Sequence, residues 1–303
     1  INIILFVILG LLAMGVVNFI LDPFQEYRKA QFYNPIYDNE RYLNSGLAKT
    51  YDYKQVIIGS SMTENFILSD AKEILGFDKP IKFCMSGATA YEIKVMLDHA
   101  YAHRKIDTVI YGLDLFSFTG STTRLFGGEG SLPFYLYDDN LLNDYRYLFN
   151  FDTFKFSLDS LIVRKEAVMF DYNRMYQWQH QLSEDDFNRA DRISEWKEKY
   201  GFNPDYRKEE YALEAMKKNV DLNLIPLIQN HPQTTFYIFN PPYSILAFKD
   251  MQTKGWLKTV ERFKRHVFIT LAHYPNVKLY DFQAFKEFTC NLYNYKNLLL
   301  SLI

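Results

Sequence analysis

The chain has 303 residues, of which 48% are hydrophobic and 23% are charged, and this balance is typical of a globular protein with a large buried core. Its formal net charge is -2 and no stripe of lysine and arginine runs along it, which argues against a nucleic-acid-binding function. The two cysteines, Cys84 and Cys290, are far apart and fit no metal-ligand spacing, so no metal site is predicted.

The first 21 residues, INIILFVILGLLAMGVVNFIL, contain no charged side chain. About 20 apolar residues are enough for a helix that crosses a bilayer. The segment shows neither the shorter apolar core nor the small-residue cleavage site of a signal peptide. We therefore predict that residues 1–21 form a single transmembrane anchor. Residues 22–52 are polar and rich in tyrosine, which predicts a stalk between the anchor and a domain over residues 53–303.

Short apolar runs alternate with helical patterns through the rest of the chain. Five runs predict strands: KQVIIG, IKFCMSG, DTVIYGLDLFSF, TTFYIFN and NVKLYDF. Runs of this length, separated by amphipathic helices, are typical of a parallel sheet that is covered on both faces. The predicted fold class is α/β, a three-layer sandwich with a mostly parallel five-stranded sheet of the flavodoxin-like kind.

A long insertion, from about residue 119 to residue 203, separates the third and fourth predicted strands. It opens with the glycine-rich GSTTRLFGGEGSLP and turns aromatic and charged at FDYNRMYQWQHQLSEDD. We predict that it is mostly helical and covers the carboxyl ends of the strands, where open α/β sheets bind their ligands.

Small or polar residues follow each of the first three predicted strands. Ser60 and Ser61 follow the first, Gly87 follows the second, and Asp114 follows the third. Each of them alone is also typical of an ordinary turn, since glycine supplies conformational freedom and aspartate caps helices. Their occurrence at successive strand ends favours one shared site, with a serine as its nucleophile.

The blocks VIIGSSMTENF, FCMSGATAYE, VIYGLDLFSF and FNPPYS resemble the SGNH (GDSL-like) hydrolase superfamily. They are most similar to membrane-anchored proteins of Gram-positive cell envelopes, distant relatives of the D-alanyl transfer protein of teichoic acid modification. The resemblance implies that Ser61 is the nucleophile, that Ser60 replaces the usual Asp, and that the N–H groups of Ser61 and Gly87 face an oxyanion. Asp114 stands where the superfamily usually has an oxyanion-hole Asn. A carboxylate cannot donate to an oxyanion, so orientation of a substrate hydroxyl or amine is expected instead.

The superfamily's C-terminal Asp-x-x-His block has no counterpart in this chain. Asn297 and Leu300 occupy the Asp and His positions, so the catalytic base is predicted to be missing, as in a truncation or frameshift product. His99 and His103 are interpreted as a solvated helix face rather than a metal site. His180, in the insertion, is the histidine best placed to approach the strand ends, although a lone histidine in an aromatic helix is usually structural.

Ser60 and three further residues are candidates for substrate contact. Tyr243 and Ser244 follow Pro241 and Pro242 after the fourth strand, where a rigid turn and a substrate contact are equally expected. Glu64 is expected to cap the turn after the serine pair, and binding of a cationic group such as a D-alanyl amine is the alternative.

With the anchor, the resemblance implies an extracytoplasmic acyl esterase or acyltransferase that acts on a cell-envelope polymer, teichoic acid or polysaccharide. It would act through a serine acyl-enzyme without a metal or organic cofactor, and a membrane-bound acyltransferase is an expected partner. The alternative is a non-catalytic domain that binds a glycan or scaffolds an acyltransferase. A cytoplasm-facing phosphate-binding loop is disfavoured, because the chain has no Gly-x-x-x-x-Gly-Lys pattern.

Overall fold

The computed structural model describes residues 2–33, 35, 39–161, 171–178, 189–199 and 211–294. Within them, five strands form one sheet in the order β2-β1-β3-β4-β5, and every neighbouring pair is parallel. The strands are β1 (Gln55–Ile58), β2 (Pro80–Lys82), β3 (Thr108–Gly112), β4 (Thr235–Asn240) and β5 (Val277–Asp281). The predicted α/β class is confirmed, and the sheet is wholly rather than mostly parallel.

The helices alternate with these strands, as a parallel sheet requires. They are α1 (Asn2–Leu21), α2 (Glu40–Thr50), α3 (Leu68–Leu75), α4 (Ala90–His103), α5 (Tyr145–Leu148), α6 (Phe151–Leu161), α7 (Arg189–Lys199), α8 (Leu213–Asn219), α9 (Ile225–Asn230), α10 (Ile245–Thr253), α11 (Leu257–Leu271) and α12 (Lys286–Thr289). The order of elements between β1 and β5 follows the predicted alternation, with the insertion between β3 and β4.

The centre of the sheet is buried because its strands are runs of β-branched and aromatic residues. Val56, Ile57 and Ile58 of β1 are all 0% exposed. Val56 pairs with Ile81 of β2 on one side and with Val109 of β3 on the other. A strand covered on both faces has no polar alternation, which is why β1 shows as a continuous apolar run in the sequence.

The third strand is shorter than the sequence predicts. The apolar run 107–118 reads as one strand, but β3 ends at Gly112 and residues Leu115–Phe118 form a 3-10 turn. Asp114 stops the strand because its carboxylate accepts from the N–H of Phe116 at 3.2 Å and caps that turn. The same aspartate therefore ends the strand and enters the candidate site.

Residues 22–52 differ from the predicted stalk. Phe24 is 1% exposed, and Leu43 and Leu47 of α2 are fully buried in the main core. The apolar positions of α2 are four residues apart and hold one face of the helix against α4. The described part of this segment therefore packs against the core.

The insertion also differs in part from its prediction. Its described portion contains α5, α6 and α7, as the helical prediction requires. However, α5 and α6 pack against α1 rather than over the ends of the strands. Of its described part, Trp178 donates to the Ser61 carbonyl and Phe126 lies against Gly87, both beyond strand ends. Residues 162–170, 179–188 and 200–203 lie outside the described residues.

Among the described residues, helix α1 is the one that is long and apolar enough to cross a membrane. Over Ile3–Leu21 its mean hydropathy is 2.8. Most of its side chains are exposed, and the buried ones are Gly15, Asn18 and Leu21 near its end. By length and composition, this helix fits the span of a bilayer.

Candidate functional site

The carboxyl end of β1 leads directly into a tight turn. Gly59 follows the strand, and a side chain there would place its first carbon 2.8 Å from the Thr63 methyl group, so only glycine fits. Ser61–Thr63 then form a 3-10 turn whose N-cap is Ser60, with the Ser60 hydroxyl accepting from Met62 N at 3.3 Å. The serine pair is thus placed rigidly at the strand end.

Ser60 faces into the protein. Its side chain is 1% exposed, and its hydroxyl donates to Asp114 Oδ2 at 2.6 Å. Since Asp114 follows β3, this bond ties the first strand end to the third. Ser60 is therefore a positioning residue, and a large substrate does not reach its hydroxyl.

Asp114 is held by three donors. Besides Ser60 and the N–H of Phe116, the hydroxyl of Tyr243 donates to Asp114 Oδ1. Tyr243 also accepts from Leu115 N at 2.9 Å and is 1% exposed. Burial, followed by the charge of Asp114, raises the pKa of Tyr243 well above its usual value, so it stays a donor. This carboxylate therefore links three strand ends.

Ser61 is the accessible serine of the pair. It is half-buried, and within the described residues its hydroxyl takes part in no hydrogen bond. Its carbonyl accepts from Trp178 Nε1 at 3.3 Å, so a residue of the insertion lies directly against it. Its N–H is at the start of the 3-10 turn, where helical N–H groups lack an acceptor within the helix. Both features suit a nucleophile, as predicted for Ser61.

The loop after β2 runs beside the serine turn. Met85 N donates to Gly59 O at 3.1 Å, so the two loops leave the sheet side by side. Two residues later, Gly87 has φ +64, and a β-carbon there would lie 2.5 Å from the ring of Phe126. No hydrogen bond of the described residues uses the Gly87 N–H. The glycine is required by both backbone conformation and space.

A buried ion pair supports this glycine loop from beneath. Arg41 Nε lies 2.8 Å from Glu92 Oε1, and Arg41 Nη2 donates to Ser86 O at 3.1 Å. Glu92 also accepts from Thr89 N at 2.9 Å and completes the capping box of α4. Sequence reasoning missed Arg41 because it lies in the segment predicted as a stalk. The spacing of Leu43 and Leu47 was the available signal for a packed helix.

Glu64, Tyr243 and Ser244 were predicted as possible substrate contacts, and the structure buries all three. Glu64 is 5% exposed and its Oε1 has no hydrogen-bond partner among the described residues. Burial, and then the charge of Glu40, raises the pKa of Glu64 to about 8, so it is mainly neutral at pH 7. Ser244 is 1% exposed and caps α10 by accepting from Ala247 N at 3.3 Å. These residues hold the fold around the site.

Two basic or nucleophilic groups beneath the turn are also structural. Lys82 of β2 is 0% exposed, and its Nζ donates to the carbonyls of Glu64 and Phe66 at 2.8 and 2.7 Å. Burial lowers the pKa of Lys82 to about 8. Cys84 is fully buried, as predicted, and burial raises the pKa of its thiol to about 12.

The described histidines do not supply a base to Ser61. His99 is 4% exposed, and burial lowers its pKa to about 4, so the prediction of a solvated helix face is wrong for it. Its ring packs against His103 and Tyr137, away from the serine turn. His180, Asn297 and Leu300 lie outside the described residues. Within the part that is described, no group of three His, Cys, Asp or Glu residues is arranged to hold a metal ion.

An apolar cavity of about 530 Å³ lies on one face of β3, β4 and β5. It is lined mainly by aromatic side chains, among them Phe66, Tyr237, Phe239, Tyr280 and Phe282. None of the serine-turn residues, nor Gly87 or Asp114, lines it. This cavity is therefore separate from the candidate site around Ser61.

Taken together, the strand ends present one accessible serine hydroxyl, a fixed glycine loop beside it and a carboxylate that serves the framework. This arrangement suits attack by Ser61 on a carbonyl, with backbone N–H groups near the developing charge. No protein-family model matches the chain, and no curated protein matches it significantly in sequence.

Proposed function

We propose that this chain is an extracytoplasmic, membrane-anchored SGNH-like acyl esterase or acyltransferase with Ser61 as its nucleophile. The observation that carries the proposal is the accessible Ser61 hydroxyl on a turn directly after β1, beside the Gly87 loop. The strand order 2-1-3-4-5 is the flavodoxin-like order, in which ligands bind outside the carboxyl ends of β1 and β3. The sequence blocks that resemble the superfamily fall at these ends.

In the proposed reaction, Ser61 Oγ forms a bond to the carbonyl carbon of an ester or thioester, and the bond to the leaving alcohol or thiol breaks. The serine proton passes through water to the leaving group, and the N–H groups of Ser61 and Gly87 face the oxyanion. A water molecule or a glycan hydroxyl then takes the acyl group, and its proton returns to Ser61. The substrate class is a cell-envelope polymer, teichoic acid or polysaccharide. A membrane-bound acyltransferase is the proposed partner.

Labelling with a fluorophosphonate tests the nucleophile directly. The full chain is expected to be labelled, and Ser61→Ala is expected to lose the label. Ser86→Ala is the matched control because Ser86 is an exposed serine on the neighbouring loop, and it is expected to label like the unsubstituted chain. Equal labelling of the Ser61→Ala variant, or no labelling of the unsubstituted chain, would contradict the proposal.

One observation favours a second candidate, a non-catalytic domain that binds a glycan or scaffolds an acyltransferase. Among the described residues, no imidazole contacts Ser61, and the Asp114 carboxylate is occupied by framework donors. Purified teichoic acid or envelope polysaccharide would then bind equally well to the unsubstituted chain and to Ser61→Ala, with no covalent labelling of either. Loss of labelling without loss of binding in Ser61→Ala supports the enzyme instead.

A further inference from the structure

Helix α6 has its polar and apolar faces reversed relative to a helix on a water-exposed surface. The side chains it buries are small and polar: Thr153, Ser157 and Ser160. In contrast, Phe151 is 73% exposed, Leu158 43% and Leu161 50%. A helix that covers a soluble core buries its large apolar side chains and exposes polar ones. This reversed pattern is typical of a helix whose outer face is surrounded by apolar groups rather than by water.

Three exposed apolar residues and the half-buried Phe154 form a single stripe along α6. Phe151, Phe154, Leu158 and Leu161 are three, four and three positions apart, a spacing that places them on one side of the helix. Asp152 is also exposed but lies about a quarter turn from Phe151, outside the stripe. The helix therefore has a packed face, an apolar exposed face and a charged exposed face.

The packed face lies against α1, the helix that fits a membrane span. Asn18 donates to Leu148 O at 2.8 Å and to Asn150 O at 3.2 Å, and Ser157 Oγ donates to Asn18 Oδ1 at 2.9 Å. The ring of Phe149 covers Gly15 so closely that a β-carbon there would lie 2.7 Å from it. Small residues and side-chain hydrogen bonds across the contact are the packing mode of helices within a bilayer.

The end of α1 that contacts α6 also exposes apolar side chains. Val16 is 57% exposed, Phe19 46% and Ile20 47%, all near the residues that contact α6. These positions are in the last turns of a span of 19 residues, which places the contact near one surface of a bilayer. Lipid that surrounds this end of α1 therefore also meets α6.

The flank of the stripe carries groups that favour a membrane surface. Tyr145 is 54% exposed, and the guanidinium of Arg146 lies 5.9 Å from its ring centre. Lys155 is exposed beside the stripe on α6. Tyrosine, arginine and lysine concentrate where hydrocarbon meets headgroups.

We propose that α5 and α6 form an interfacial element that inserts its stripe, Phe151, Phe154, Leu158 and Leu161, into the same bilayer leaflet that α1 enters. The proposal rests on α1 crossing the membrane, which is part of the proposed function, but not on any chemistry at Ser61. The element would fix the domain against the membrane at two places, through α1 and through α6.

Depth-dependent fluorescence quenching of the full chain in lipid nanodiscs tests this proposal. An environment-sensitive fluorophore is attached to single cysteines at Leu158 or Leu161, in a chain in which the exposed Cys290 is replaced by serine. The matched control is Asp152→Cys on the charged face of the same helix. Ile8→Cys on α1, where Ile8 is 48% exposed, reports the anchor. Nitroxide-labelled lipids are expected to quench the labels at 8, 158 and 161 severalfold more than the label at 152.

The outcomes distinguish the insertion of α6 from the membrane crossing of α1. Strong quenching at position 8 with equal, weak quenching at 158 and 152 overturns the insertion of α6 and leaves the anchor intact. Weak quenching at position 8 overturns both claims. Emission at 158 that shifts to the blue with protein concentration, without quenching by lipid, also overturns the insertion, because a second copy of the chain then covers the stripe.

Discussion

Asp114 accepts hydrogen bonds from three groups around the strand ends. Its carboxylate accepts from the Ser60 hydroxyl, the Tyr243 hydroxyl and the Phe116 N–H. All of these donors lie on framework residues. The carboxylate therefore fastens the ends of β1, β3 and β4 to one another.

Tyr243→Phe tests this fastening. Removing the hydroxyl takes one of three donors from the Asp114 carboxylate and leaves the Leu115 N–H without its acceptor, so the free energy of unfolding is expected to fall by about 1–3 kcal/mol. Denaturant unfolding measures it. Tyr237→Phe on β4 is the control, since Tyr237 is only half-buried, and a change within about 0.5 kcal/mol is expected there. Equal effects of the two substitutions would show that Asp114 is not held through Tyr243.

Glu64 gives the protein a pH dependence with a definite sign. In the folded chain the pKa of Glu64 is about 8, whereas the usual pKa of a glutamate carboxyl is 4.5. The stability this proton supplies is fully present below pH 4.5 and is lost as pH rises through 8.

Glu64→Gln imitates the protonated form and is therefore expected to gain stability relative to the unsubstituted chain between about pH 5 and 8.5. The expected gain in the free energy of unfolding is about 1 kcal/mol or more. Denaturant unfolding at a series of pH values measures it, and Glu129→Gln in an exposed loop is the control. A difference between Glu64→Gln and the unsubstituted chain that stays constant with pH would contradict the assignment.

At the scale of elements, the amide of Asn18 links α1 to the α5–α6 pair by hydrogen bonds. Asn18 is 0% exposed and satisfies two backbone carbonyls and one hydroxyl at once. An asparagine in an apolar helix is costly unless it is paired. Its position toward α6 therefore fixes how α1 is rotated about its own axis.

Asn18→Ala removes these bonds and is expected to destabilise the packing by about 0.6–2 kcal/mol, seen as a lower thermal midpoint in detergent. Val16→Ala is the matched control on the exposed side of the same helix, and its midpoint is expected to stay close to that of the unsubstituted chain. If both variants melt together, α1 is not held through Asn18.

The success of prediction from sequence differed between elements for physical reasons. β1 was identifiable because a strand buried on both faces is a continuous apolar run. α2 was not, because its composition is polar and only Leu43 and Leu47 mark its buried side. The end of β3 was also misplaced, since the capping bond of Asp114 interrupts a run that is mainly apolar on both sides of it.

The same contrast applies to the candidate site. Ser60, Ser61, Gly87 and Asp114 were identifiable because turn residues at the ends of parallel strands meet at one edge of the sheet. Arg41 and Trp178 were not, because they reach the site from helices and loops that no local pattern connects to it. The burial of Glu64 and Tyr243 likewise follows from packing that only the folded chain defines.

At the scale of the whole molecule, α1 and the domain are one packed unit. Asp22 follows α1 directly, is 0% exposed, and its carboxylate accepts from Tyr147 OH at 2.9 Å and Tyr27 N at 2.8 Å. The first turns of α1, in contrast, have side chains such as Ile3 and Phe6 that are 80% and 78% exposed.

Two truncations test whether the stability of the domain depends on the end of α1. A chain that lacks residues 2–8 is expected to keep the thermal midpoint of the full chain in the same detergent. A chain that starts at Asp22 loses Gly15 and Asn18 with the rest of α1, and its midpoint is expected to fall by about 4 °C or more. A fall of equal size for both truncations would show that the domain does not depend on the end of α1.

The buried junction at Asp22 also sets how far the serine turn can travel. A flexible stalk over residues 22–52 would let a catalytic domain sweep a radius of roughly 100 Å when extended. The described part of that segment packs into the core, so under the proposed function Ser61 would stay at one height above the lipid and move only as the anchor diffuses sideways. An envelope polymer would then have to bring its acyl-bearing units into a thin layer along the membrane, and mobility of the substrate would replace mobility of the protein.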